Sequence, residues 1–131
     1  MANLPQDFSY SAEHEWIDCP ADEAPGATVK VGVTSVATER LGEVVFAELP
    51  AVGDQVTAGE PCGEIESTKS VSDLYSPVTG TVAEVNESVH DDYEVINADP
   101  FGAGWLFSVT VDDVGELVDA TSYAAANGIE A

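Results

Sequence analysis

Gly63-Glu64-Ile65-Glu66-Ser67-Thr68-Lys69-Ser70-Val71 sets one of the two lysines of this chain in a short polar segment between two strand-like runs. Gly53-Asp54-Gln55-Val56 and Gly59 stand upstream, and Tyr75-Ser76-Pro77-Val78-Thr79-Gly80-Thr81-Val82 downstream. Turn residues between alternating runs predict a β-hairpin with Lys69 near its tip. A lysine placed there is solvated and mobile. That suits it poorly to act as a general base or Schiff-base nucleophile, and well to carry a swinging group.

The charge balance sharpens this reading. The 131 residues hold 25 acids against Lys30, Arg40 and Lys69, a formal net charge of -22. On a surface filled with carboxylates a retained lysine needs its own reason. Lys30 has a plain one, since it alternates with Val29, Val31 and Val33 on the solvent side of a half-buried strand. The acidity excludes nucleic acid and anionic membrane as partners, because a phosphate surface would be repelled and no basic patch offsets the repulsion. The acids alternate with valines, aromatics and glycines at folding periods, so the chain is expected to fold. Self-repulsion of this size predicts a halophilic host, whose molar salt shortens the screening length to about 3 Å.

At 44 % hydrophobic composition the chain supports one modest core, hence a single domain over residues 1–131. No apolar stretch approaches the roughly 18 residues of a membrane span. The start, Met1-Ala2-Asn3-Leu4-Pro5, lacks the basic end and apolar core of a signal peptide, so a cytoplasmic location is expected. Cys19 and Cys62 show no CxxC spacing and read as free thiols of a reducing compartment.

His14-Glu15-Trp16-Ile17 reads as an early strand, and the proline- and acid-rich Pro20 to Gly26 as a loop. Val29 to Val33 is a second strand. Ser35 is placed to cap a short helix through Leu41 that stops at Gly42. Glu43 to Pro50 is the next strand. Trp105 to Val111 reads as the last one, and the tail as one or two short helices ending by Gly128, with Asp112 and Asp119 as caps. The blocks from Gly42 to Val56 and from Gly80 to Val89 read as degenerate copies flanking the lysine hairpin. The fold class is therefore mainly β: a flattened antiparallel barrel or sandwich with short helices, including a C-terminal one.

Glu64 and Glu66 lie two residues apart on one strand face, with Asp73 on the other arm of the hairpin, so these three are candidates for guiding an enzyme that recognises Lys69. Ser67 and Ser70 read as turn formers, because no nearby histidine activates them. His14, His90 and the two cysteines are too scattered to read as a metal site. Phe46, Trp105 and Phe107 are assigned to the core, and Trp16 to a partly covered docking position.

The run from Gly53 to Asn86 resembles the lipoyl and biotinyl carrier modules, in which a hairpin lysine is acylated by the cofactor. Biotin-bearing members flank that lysine with methionines; Thr68 and Ser70 stand here instead and favour lipoate. The resemblance extends along the chain through His14-Glu15-Trp16, Gly32-Val33-Thr34, Leu41 to Gly53 and Ile65 to Gly80. It continues in Val95-Ile96-Asn97, Asp99-Pro100 and Gly104-Trp105-Leu106, and this ordered set is similar to the H-protein family of the glycine cleavage system. The acidic loop Asp18 to Gly26 and the tail Ala124 to Gly128 depart from the family pattern without touching the lysine segment.

The resemblance implies a barrel-sandwich hybrid with its lipoyl-carrier core at about 29–111, and lipoate in amide linkage at Lys69. It implies a non-catalytic carrier that takes an aminomethyl group from the pyridoxal-phosphate-dependent glycine decarboxylase to the tetrahydrofolate-dependent aminomethyl transferase, and passes electrons to dihydrolipoamide dehydrogenase. A lipoate-attaching enzyme is the fourth partner, and the carrier is expected to be a monomer. Three other readings stand beside it: a lipoate relay for 2-oxoacid dehydrogenase complexes, an enzyme using a histidine with a cysteine, and an acidic adaptor without cofactor.

Overall fold

A computed structural model of the chain describes residues 4–129. Met1-Ala2-Asn3 of the amino-terminal stretch and the last two positions of the 1–131 span lie outside the described residues. The strands are β1 (Ser9–Tyr10), β2 (Glu15–Ile17), β3 (Thr28–Val33), β4 (Val44–Glu48), β5 (Gln55–Val56), β6 (Pro61–Ser67), β7 (Val71–Tyr75), β8 (Val78–Val85) and β9 (Phe107–Val114). The helices are α1 (Ser35–Leu41), α2 (Glu87–Asp91), α3 (Glu94–Ala98) and α4 (Ala120–Asn127), with a 3-10 turn at Ala21–Glu23 in the acidic loop.

The strands form two antiparallel sheets, one ordered β1-β2-β3-β9-β8-β5 and one ordered β4-β6-β7. Period-2 alternation builds the layer between them. Val29 and Val31 turn inward from β3 while Thr28 and Lys30 face solvent. Val82, Phe107 and Val109 of the larger sheet share one buried cluster with Ala47, Ile65 and Leu74 of the smaller. Gly80 lies where a Cβ would come within 2.2 Å of the Thr110 carbonyl oxygen, so only glycine lets β8 approach β9 there. The mainly antiparallel sandwich with short helices, one of them C-terminal, is thus the observed architecture.

A second cluster, with Tyr10, Trp16, Val36 and Tyr123, seats α4 against β1 and β2. Asp119 caps that helix by accepting the Ser122 N–H at 2.8 Å, and Gly128 ends it at φ 67.

Several expectations are corrected. Thr34, not Ser35, caps α1, because Thr34 is the extended residue and its hydroxyl accepts the Ala37 N–H. Ser35 is already inside the first turn, and its hydroxyl is buried without a partner. The last strand begins at Phe107 and continues to Val114, since its ladder with β8 extends to the pair Val78 and Val114, so Asp112 is a strand residue and no cap. The two blocks diverge at their ends: Val56 lies in β5, whereas Asn86 caps a helix that takes in Val89.

Trp16 is no docking residue. It is 1 % exposed, its ring fills the space over Gly32, and its indole N–H donates to the carbonyls of Val33 and Pro100, each at 3.0 Å. Phe107 is in the core, but Phe46 is exposed, because a β-bulge in β4 turns it outward. Trp105 is partly covered and packs beneath the Lys30 Nζ, 5.1 Å from its ring centre.

Candidate functional site: the lysine hairpin and its platform

The ladder between β6 and β7 closes at the pair Glu66 and Val71, leaving Ser67 to Ser70 as the connection. Ser67 builds this turn. Its N–H donates to the Ser70 carbonyl at 2.8 Å, and its hydroxyl accepts the N–H groups of Lys69 and Ser70 at 3.2 Å each. A serine hydroxyl does here what a backbone carbonyl would do in a longer turn. Thr68, Lys69 and Ser70 are exposed.

The tip rests on a platform. The Thr68 N–H donates to the Glu43 carbonyl at 3.0 Å, and the aliphatic stem of Lys69 lies over Gly42. Asn97, from α3, holds that platform at both ends, accepting the Val44 N–H at 2.9 Å and donating to the Gly42 carbonyl at 2.8 Å. The only ion pair among the described residues joins His90 to Glu87, so no described carboxylate pairs with the Lys69 amine.

Glu64 and Asp73 face each other across the β6–β7 ladder on the exposed side of the small sheet, and Glu66 sits nearer the tip, opposite Val71 and Phe46. All three therefore share one outer face with the lysine turn at its end.

The histidines and cysteines do not converge, and no group of three metal-ligating side chains forms among the described residues. His14 is engaged elsewhere. Arg40 donates to its Nε2 at 3.0 Å, so Nδ1 carries the proton and donates to the Tyr123 hydroxyl at 2.6 Å, which in turn reaches Thr34 at 2.7 Å. Burial and the Arg40 charge both hold the His14 pKa below the ordinary histidine value, which keeps that polarity.

A cleft of about 170 Å³ opens between α1 and β7, lined in part by Glu15, Arg40, Leu41 and Asp73. Glu15 is 2 % exposed and receives the Ser11 hydroxyl at 2.8 Å; burial pushes its carboxyl up to about 8, against the effect of that hydrogen bond. In the sequence Glu15 stands out only as part of a strand and of a family-like segment, although a carboxylate beside Trp16 in an apolar strand is a usable signal of a buried acid. Asn97 likewise stands out only within Val95-Ile96-Asn97, because the partners that give it its role lie more than fifty residues away and leave no local mark.

The model of the family described as "Glycine cleavage H-protein" matches residues 8–128. A glycine cleavage system H protein of Corynebacterium aurimucosum is 72 % identical over 130 residues, which is 99 % of this chain and 100 % of that protein. One from Beutenbergia cavernae is 56 % identical over 94 % of this chain and 95 % of its own length. The crystal structure of a glycine cleavage system H protein from Mycobacterium marinum superposes with a TM-score of 0.92 at 54 % identity, covering 96 % of this chain and all of that one. With a sandwich that projects an exposed lysine on a serine-built turn, and with matches that span nearly its whole length, the chain belongs to the glycine cleavage H-protein family.

Proposed function

We propose that Lys69 is the residue to which the lipoyl group is joined. Members of this family are non-catalytic lipoyl carriers, and the chain shuttles the aminomethyl group between glycine decarboxylase and aminomethyltransferase. The observation that carries the assignment to Lys69 is its place at the exposed tip of the β6–β7 hairpin. Lys30 lies in the middle of β3 with its amine over Trp105, so a group attached there would be tethered to a sheet face.

The turn fits the group. A primary amine is the donor an amide needs, its neighbours are exposed, and no described carboxylate holds it. When attached, lipoate supplies a dithiolane that accepts the aminomethyl unit with reduction of its disulfide. The chain's own part is positional. Ser67 fixes the turn, Asn97 and Gly42 support it, and the tether turns encounters between free molecules into transfer at high effective concentration.

The finer partner assignments belong to the same proposal: a pyridoxal-phosphate-dependent decarboxylase, a tetrahydrofolate-dependent transferase, dihydrolipoamide dehydrogenase as the electron acceptor, and a lipoate-attaching enzyme guided by Glu64, Glu66 and Asp73. So do the single domain over 1–131 with its carrier core at about 29–111, which the shared core between Ile17 and Val111 supports. A monomer in the cytoplasm is part of it, and among the described residues no helix is long and apolar enough to cross a membrane. The halophilic host rests on the charge of -22 alone.

Peptide mapping of chain loaded by a lipoate ligase tests the central assignment. The expected result is one modified peptide, containing Lys69; modification at Lys30 overturns it.

A further inference from the structure

Lys30, Arg40 and Lys69 are the only lysines and arginines in a chain with 25 acids. Amide formation at Lys69 removes one of these three charges. Lys30 lies on the large sheet, its amine 5.1 Å from the centre of the Trp105 ring. That leaves Arg40. It stands in the last turn of α1, two residues before Gly42, so its Cα is within about 7.6 Å of the glycine that the Lys69 stem crosses.

Arg40 is exposed, and one contact aims its guanidinium: Nη1 donates to His14 Nε2 at 3.0 Å. His14 sits at φ 70, a left-handed conformation unfavourable for a residue other than glycine, and the Tyr123 hydroxyl fixes its other ring nitrogen. The groups around Arg40 are mostly acids. Glu39 precedes it on α1. Glu13, Glu15 and Asp73 share the hollow on one side of it, and Glu116, Tyr10 and Tyr123 the hollow on the other. None of these carboxylates pairs with it, because the only ion pair among the described residues joins His90 to Glu87. A guanidinium that hydrogen-bonds a neutral imidazole keeps its remaining N–H groups for an anion.

The reduced arm supplies one. A dithiol ionises by releasing a proton to solvent while the electron pair stays on sulfur, and the thiolate so formed is the species that attacks a disulfide. In the field of a chain with net charge -22 that ionisation is disfavoured. The acyl chain adds roughly 8 Å of reach beyond the lysine amine, more than the span from Gly42 to Arg40. We propose that Arg40, oriented by His14, is the charge that stabilises the thiolate of the reduced lipoyl arm. The inference deepens the carrier reading and rests on attachment at Lys69.

Alkylation reads the thiolate directly. Chain shown by peptide mapping to be loaded at Lys69 is reduced, freed of reductant and treated with iodoacetamide between pH 6.5 and 9.5 in about 0.05 M salt. The thiolate displaces iodide, and mass spectrometry of the lipoyl peptide gives its rate apart from Cys19 and Cys62. Arg40→Gln should slow alkylation at pH 7.5 about threefold and move the profile up by about 0.5 pH unit, the effect of a unit charge about 6 Å away in water. Arg40→Lys should keep most of the wild-type rate. Lys30→Gln removes an equal charge from the large sheet and should match wild type. The gap between wild type and Arg40→Gln should shrink in about 1 M salt. Glu15, whose carboxyl burial pushes up to about 8, is present in every variant, so its titration is common to all the profiles. Arg40 is exposed, so its replacements are expected to fold, which their thermal midpoints verify. Equal rates for wild type and Arg40→Gln, equal slowing by Lys30→Gln, or a loss in Arg40→Lys as large as in Arg40→Gln overturns the proposal. Loading at a residue other than Lys69 is recognised separately, in the peptide map, before any rate is measured.

Discussion

The side chain of Lys69 runs back across Gly42, its Cε 3.1 Å from where a Cβ on that glycine would lie. Gly42 has φ 79 and ψ -154, a conformation essentially confined to glycine, and its N–H closes α1 on the Thr38 carbonyl. One backbone position thus ends a helix and leaves room for the lysine stem. Gly42→Ala is expected to cost about 1–3 kcal/mol of stability in urea unfolding. The contact itself adds little, because the stem can swing away; a cost below about 0.5 kcal/mol would mean the backbone relaxes freely.

Asn97→Ala removes both hydrogen bonds that hold the platform beneath the lysine turn. At about 1 kcal/mol for each bond the expected loss is roughly 2 kcal/mol. Hydrogen exchange should accelerate at the Val44 amide more than at Val82 in the large sheet. Uniform acceleration would show that the clamp acts on global stability alone.

Lys69→Arg should abolish lipoylation, seen as the absence of any mass increase with a lipoate ligase, since a guanidinium cannot replace the primary amine. Stability should change by less than about 0.5 kcal/mol, because the side chain is exposed. Lys30→Arg should load and turn over normally. Full glycine cleavage by the Lys69→Arg protein would reject the assignment.

Glu15 makes stability depend on pH. Its folded carboxyl is raised to about 8 by burial, above its unfolded value near 4.5, so the folded state holds a proton that the unfolded state has released. That contribution is complete below about pH 4.5 and is lost as pH rises through 8. The Cys62 thiol, pushed up to about 12 by burial and then by the Glu15 charge, stays protonated across the window. Unfolding free energies at pH 5, 6.5 and 8 should fall for wild type relative to Glu15→Gln; parallel curves would assign Glu15 an ordinary pKa.

The charge of -22 predicts a thermal midpoint that rises between about 0.1 and 2 M salt, as screening shortens from about 10 Å. An unchanged midpoint removes the ground for a halophilic host.

The sequence by itself determined the features that depend on near neighbours. Glycines, serines and alternating valines place a hairpin around Lys69, and Asp119 and Gly128 mark both ends of α4, because turn chemistry and capping act within a few residues. Only the tertiary structure decided what depends on distant partners. Thr34 prevails over Ser35 as the cap because of where β3 delivers the chain. Trp16 is buried because Gly32, on the neighbouring strand, offers no side chain to exclude it. Phe46 is exposed because pairing β4 with β6 inserts a bulge at Val45, which no count along the strand reveals. Asn97 reaches the lysine platform only after the fold brings α3 beside β4, and its two hydrogen bonds to Gly42 and Val44 form between backbone groups that local sequence leaves open.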